Sequence, residues 1–169
     1  FNAQHSPAGA FASFTLGYPG GKGGLGLELG GPAGENVYIG METPEGGAYY
    51  ALPFFEHGED ETVRYTGERR DGEGGREGRI LPLALDDLER DYRPFTDRWR
   101  SSGFTFTVTS PAYPVPDPMT RPGKDLKRAL IPAVFGTLRV DNRTGDRPKR
   151  VFIGYSGSDP YSGMRHLEQ

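Results

Sequence analysis

Asn2, His5 and Ser6 place an amide, an imidazole and a hydroxyl within the first six residues of the chain. Such groups suit recognition of sugar hydroxyls, which need donors and acceptors held in fixed directions. They equally suit a turn that satisfies its own backbone, because Asn, Ser and the Pro7 that follows are common turn formers. On residue types alone both readings stand. The other two histidines, His57 and His166, are remote from His5 and from each other, and none falls in an HExxH or comparable ligand spacing. A structural or surface role is the plainer reading for each, and neither a metal nor a cofactor is expected.

Carboxylates are abundant, 23 in all, so acid–base pairs are easy to assemble on paper. Glu28, Glu42, Asp117 and Asp159 lie beside expected strands or prolines, yet each reads first as a solvated or turn-forming side chain. A serine nucleophile has no support, since GxSxG is absent and the Tyr-Ser-Gly triplets at 155–157 and 161–163 resemble turns. The glycine-rich run at 17–26 lacks GxxxxGK[ST] and leads into a strand pattern rather than a helix, which fits a hairpin turn and not a phosphate loop. Trp99, Tyr49, Tyr50, Tyr113, Tyr155 and Tyr161 are of the kind that stacks on sugar rings, though packing is the commoner fate of each.

The elements that must position these groups are strands. At 169 residues the chain fits one domain, 1–169, able to bury a core without cross-links. Its 26 Gly and 15 Pro would suggest disorder but for ten Phe, nine Tyr and a Trp, which argue for a packed, turn-rich β protein. A net charge of −3 gives no electrostatic handle for nucleic acid. The chain has no cysteine, which excludes disulfides and is compatible with a cytoplasmic location. No apolar run approaches the length needed to span a bilayer as a helix, so a membrane partner is not expected. No charged-then-apolar leader is visible, and the sequence opens at Phe1 rather than Met, which leaves the natural start open.

Strand patterns recur about every ten residues, which favours a sandwich or barrel. Residues 10–16 alternate with a period of two, and Leu25, Leu27 and Leu29 alternate after a Gly-rich turn, so the two segments are expected to pair as a hairpin. Residues 37–39 and 49–55 are the next strands. The stretch 66–79, TGERRDGEGGREGR, contains no apolar residue but glycine and reads as a solvated loop. Phe104, Phe106 and Val108 alternate with Thr105, Thr107 and Thr109, the clearest half-buried strand in the chain. Pro111, Pro114, Pro116 and Pro118 then forbid a ladder. Residues 124–129 suffice for one helical turn at most. Residues 134–140 and 151–155, flanking DNRTGDRPKR, are expected to form a long hairpin.

The opening block NAQHSPAGAFASFTLG, residues 2–17, resembles nearly position for position the start of the family 52 glycoside hydrolases, whose known members act as β-xylosidases. The likeness continues through Asn36-Val37-Tyr38-Ile39-Gly40, Glu59-Asp60-Glu61, Arg64-Tyr65 and Phe104-Thr105-Phe106-Thr107. It resumes at Ser110-Pro111, Val115-Pro116-Asp117-Pro118, Leu130-Ile131-Pro132-Ala133-Val134, Val140-Asp141-Asn142 and Asp159-Pro160-Tyr161. Only the charged loop at 66–79 falls outside it.

This resemblance implies an all-β, antiparallel sandwich that forms the N-terminal part of a longer enzyme. In that family an (α/α)6 barrel follows the sandwich and carries the Glu nucleophile and the Asp acid/base. Retaining hydrolysis needs those carboxyl groups about 5–5.5 Å apart on either side of the glycosidic bond. No catalytic residue is therefore expected in these 169 residues, and the chain is expected to be an inactive part of its parent. The implied partners are a xylo-oligosaccharide, cut from its non-reducing end without metal or organic cofactor, and the C-terminal catalytic barrel; a homodimeric parent is compatible. Asn2, His5 and Ser6 are expected at the rim of the sugar pocket. An interaction or oligomerisation domain and an autonomous carbohydrate-binding module are the rival classes.

Overall fold

The computed structural model describes residues 3–6, 12–16, 24–27, 36–43, 48–55, 79–120, 123–131 and 133–155. They form eleven strands in three sheets, one short 3-10 turn at Leu85–Asp87 and one six-residue helix, α1 (Lys124–Ala129). The charged loop expected at 66–79 lies outside the described residues, save for Arg79.

A three-stranded antiparallel sheet carries the start of the chain: β1 (Ala3–His5), β2 (Ala12–Leu16) and β3 (Gly24–Leu27), in that order. The β2–β3 pairing expected from alternation is present, with Phe14 opposite Leu25. On β1, Ala3 and His5 are buried while Gln4 and Ser6 are exposed, so the period of two sends His5 inward and Ser6 outward.

Two four-stranded sheets make the body of the protein. One has the order β10-β9-β8-β7, from β7 (Glu89–Arg93), β8 (Thr96–Arg100), β9 (Phe104–Thr109) and β10 (Phe135–Val140), all antiparallel. The other has the order β11-β4-β5-β6, from β4 (Val37–Glu42), β5 (Ala48–Ala51), β6 (Arg79–Pro82) and β11 (Val151–Tyr155). Its β5–β6 pair is parallel and its other pairs are antiparallel. β9 lies against β4, and the faces between the sheets hold Ile39, Met41, Trp99, Phe104, Phe106 and Val108 in one core with Leu16 from β2. Each fully buried side chain of this size stabilises the fold by about 1.5–3 kcal/mol. The architecture is the all-β, sandwich-like one expected.

β9 follows its sequence pattern closely, with the aromatics and Val108 buried and the threonines half-exposed. β4 is buried on both faces, because Tyr38 packs behind the sheet on Phe55, ring centroids 5.2 Å apart, while Val37, Ile39 and Met41 face the main core. Gly40 belongs to the same close packing: a side chain there would run into the Tyr50 carbonyl and the Ala51 main chain of β5.

Several expectations need correction. β5 ends at Ala51 rather than running on to residue 55, since Pro53 has no N–H for a ladder. Leu52 and Phe54 still reach the core from the irregular chain beyond it. Helix α1 is six residues long, about 1.7 turns at 3.6 residues per turn, where one turn at most was expected. The largest change concerns the expected hairpin of residues 134–140 and 151–155. β10 pairs with β9 in one sheet and β11 pairs with β4 in the other, so residues 141–150 cross between the layers. Hairpin loops are usually two to five residues, whereas ten residues readily span the ~10 Å between packed sheets.

Candidate functional site

Of Asn2, His5 and Ser6, Asn2 lies outside the described residues, and the other two point to opposite sides of β1. Ser6 is exposed and accepts a hydrogen bond from Gln4 Nε2 at 3.2 Å. His5 is only 5% exposed and enters a polar cluster buried against the main core.

The cluster is assembled by strand parity. Asp97 and Trp99 share the inward face of β8, opposite Val108 and Phe106 of β9, and both are fully buried. Arg90 sits across from Trp99 on β7, so its guanidinium lies 4.2 Å from the indole centroid and reaches diagonally to Asp97. It grips both carboxylate oxygens, with Nε 2.8 Å from Oδ1 and Nη2 2.6 Å from Oδ2, the fork geometry in which Arg and carboxylate bind most strongly. Phe54 meets Trp99 edge-on, ring centroids 4.9 Å apart. Ser110 continues the inward parity of β9 by one step, held by its N–H donating to the Phe95 carbonyl at 2.8 Å. Its hydroxyl lies 3.0 Å from His5 Nδ1, with donor and acceptor set by the imidazole tautomer.

His5 Nε2 is 3.7 Å from Asp97 Oδ2, too long for a hydrogen bond but near enough for electrostatic support, and among the described residues it has no hydrogen-bond partner. Burial works to raise the Asp97 carboxyl's pKa, yet His5 and Arg90 beside it outweigh that and hold it below the ordinary carboxylate range. Asp97 is thus an anion fixed by a cation. Arg90 holds both of its oxygens, which stabilises the anion and makes it a weak base toward a substrate.

The arrangement suits holding better than reacting. It ties β1, near the start of the chain, to β7, β8 and the end of β9, and it buries the imidazole edge that a sugar would need to reach. Of the candidate carboxylates, Glu28 and Asp159 lie outside the described residues. Glu42 ends β4, its N–H donating to the Arg150 carbonyl at 2.9 Å. Asp117 closes a turn, accepting from Met119 N at 2.9 Å and from the Thr120 hydroxyl at 3.1 Å, as the turn-forming reading requires. Among the described residues no group of three His, Asp or Glu could hold a metal ion.

The candidate aromatics are spread out. Trp99 has no exposed surface on which to stack a sugar. Tyr49 packs edge-on to Phe152 at 5.6 Å, and Tyr113 carries the Arg128 guanidinium over its ring at 4.7 Å. Tyr50 is partly exposed, while Tyr161 and the side chain of Tyr155 lie outside the described residues. The residues that sequence reasoning passed over are Asp97, Arg90 and Ser110. Parity with Trp99 was the available signal for Asp97, and parity with Val108 for Ser110.

The chain is similar to known proteins over nearly its whole length. It is 46% identical over 170 aligned residues to a beta-xylosidase of Geobacillus stearothermophilus, an alignment that takes in 99% of this chain and 24% of the relative. A second beta-xylosidase of the same organism is 41% identical over 176 residues, covering 99% of this chain and 28% of that protein. The chain therefore spans about a quarter of the length of the curated relatives it matches. The model of glycosyl hydrolase family 52 matches residues 14–169, which takes in the core strands, Asp97 and Ser110, while the block with His5 is covered by the two relatives. On that match the chain belongs to glycosyl hydrolase family 52.

Proposed function

We propose that this chain is the non-catalytic N-terminal sandwich of a retaining β-xylosidase, which releases xylose from the non-reducing ends of xylo-oligosaccharides. The observation that carries the reading is the 46% identity with a beta-xylosidase across 99% of the chain. In this reading the nucleophile and the acid/base belong to the C-terminal catalytic barrel, and no metal or organic cofactor takes part. The sandwich provides scaffold, and the polar block Asn2, His5 and Ser6 lies at the rim of the sugar pocket, with Ser6 facing outward and His5 buried behind it. Support for the rim comes from their polarity and the exposure of Ser6. The parent works in the cytoplasm.

The test is mutational, in the full-length enzyme. Glu42→Gln and Asp117→Asn should each leave kcat within about twofold, whereas loss of a carboxylate that does chemistry costs several orders of magnitude. A fall of that size with the fold intact would place catalysis in this region. His5→Ala with unchanged KM and kcat would remove the proposed rim.

A further inference from the structure

The sheet β10-β9-β8-β7 turns one face to the core, and its register lays out the other row by row. Phe135, Thr109, Thr96 and Arg93 form the first outward row, Thr137, Thr107, Arg98 and Asp91 the second, and Arg139, Thr105, Arg100 and Glu89 the third. All of these side chains are exposed or half-exposed, and Phe135 is the one apolar residue among them. Threonine suits strands through its β-branched side chain, so the Thr column of β9 alone points to no ligand.

The charges are more informative, because on a chain of net charge −3 this face sets four arginines against two carboxylates. Both carboxylates stand on β7, and three of the arginines are engaged with them. Arg93 Nε donates to Asp91 Oδ1 at 2.9 Å, Arg100 Nη1 donates to Glu89 Oε1 at 3.0 Å, and Arg98 Nη1 lies 4.0 Å from Asp91 Oδ2. Arg139 stands on β10, at the opposite edge of the sheet. Among the described residues it makes no hydrogen bond or ion pair. Asp141, two residues further on, is already held by Nε and Nη2 of Arg143. The β9–β10 half of the face therefore presents a cation without a counter-ion at one end and the hydroxyls of Thr105, Thr107 and Thr137 along it. The exposed ring of Phe135 lies four strand residues from Arg139, about 13 Å away at the other end.

We propose that this half-face is a carbohydrate site for a xylo-oligosaccharide bearing a uronic acid branch. The Arg139 guanidinium pairs with the uronate carboxylate, the threonine hydroxyls exchange hydrogen bonds with sugar hydroxyls, and Phe135 receives the apolar face of a pyranose ring. Charge complementarity selects the ligand, since an unbranched xylo-oligosaccharide is neutral and leaves Arg139 without a partner. The xylan class rests on the proposed β-xylosidase reading, whereas the anionic branch rests on the face itself.

Native electrophoresis of the full-length enzyme through gels containing glucuronoxylan, compared with polymer-free gels, tests the site. The polymer should retard the enzyme. Carboxyl-reduced glucuronoxylan, which keeps the sugars and loses the charge, should bind about tenfold more weakly, and Arg139→Gln should weaken binding to the native polymer by a similar factor. Arg93→Gln, at the far edge of the sheet, should stay within about twofold of wild type. Absence of retardation, equal retardation by the two polymers, or an Arg139→Gln variant that binds as wild type would overturn the proposal. Equal losses in the two arginine variants would also overturn it, because they would mark the overall charge of the face and not a site. Hydrolysis of p-nitrophenyl β-D-xyloside by the same preparations keeps the two readings apart, and Arg139→Gln should retain the wild-type kcat/KM. An active enzyme that glucuronoxylan does not retard defeats only the carbohydrate face, and a retarded enzyme without turnover defeats only the β-xylosidase reading.

Discussion

Where β8 turns Asp97 inward, the sandwich is closed from within: Arg90 neutralises the carboxylate and stacks on Trp99, Phe54 packs on that indole, and β1 brings in His5 with Ser110 as its tie. Where β11 turns Ile153 inward, the same core row reaches the edge and stays open. The first flank is finished with polar groups whose partners come from distant parts of this chain, and the second with apolar groups that have no strand beyond them among the described residues. A buried ion pair contributes little net stability compared with apolar packing, but breaking it is costly, which makes it suited to fixing one arrangement of β1. An apolar edge is indiscriminate and depends on what covers it.

That contrast can be broken most sharply at Asp97. Asp97→Ala leaves the Arg90 guanidinium largely buried without its counter-charge and should destabilise the full-length protein by about 3–5 kcal/mol in chemical denaturation. If the midpoint barely moves, the closed flank is not what holds β1. The sign of the pH effect follows from the lowered folded-state pKa of Asp97. Its stabilising contribution is present above the unfolded value, near pH 4, and is lost as pH falls through the folded value. A denaturation series on Asp97→Asn should therefore lack that part of the acid-side loss. Ser110→Ala takes away the partner of His5 Nδ1 and should cost about 1–3 kcal/mol, the usual penalty for a buried polar atom left alone.

Smaller effects sharpen the picture. Phe95 links β7 to β8 with φ of 70°, in a turn where Pro94 precedes it and a glycine would be at ease. Its side chain is exposed, so Phe95→Gly should raise stability by about 0.5–1 kcal/mol, read as a higher denaturation midpoint. On the open flank, Ile153→Thr in the 169-residue polypeptide should change stability by no more than about 0.5 kcal/mol, since the side chain is already largely in water. A loss of several kcal/mol there would mean that the flank is already covered within this chain.

Much of the sandwich was legible in the sequence, and the reasons differ by strand. β9 showed itself because one face meets the core and the other meets water, so its alternation is unbroken. β7 and β8, reading ERDYR and TDRWR, were obscured because their outward faces are charged and one inward position is Asp97 itself. Period-two reasoning from Trp99 would have found that residue; a prejudice against inward carboxylates hides it. The partner choice of β10 and β11 was not local information, since turn-compatible residues serve equally for a hairpin and for a crossing between sheets. In the polar block near the start of the chain, Ser6 is exposed and His5 is buried. Sequence could not divide its side chains between an outward Ser6 and a buried His5 without knowing which face of β1 meets the core.

The central functional claim, that this region supports chemistry performed elsewhere in the enzyme, is tested most directly with p-nitrophenyl β-D-xyloside. Its hydrolysis would be measured for the 169-residue polypeptide and for the same polypeptide extended to the natural end of its gene. Turnover by the extended protein alone is the predicted result. Turnover by the 169-residue polypeptide would contradict the account and return Glu28, Glu42, Asp117 and Asp159 to consideration as the catalytic pair.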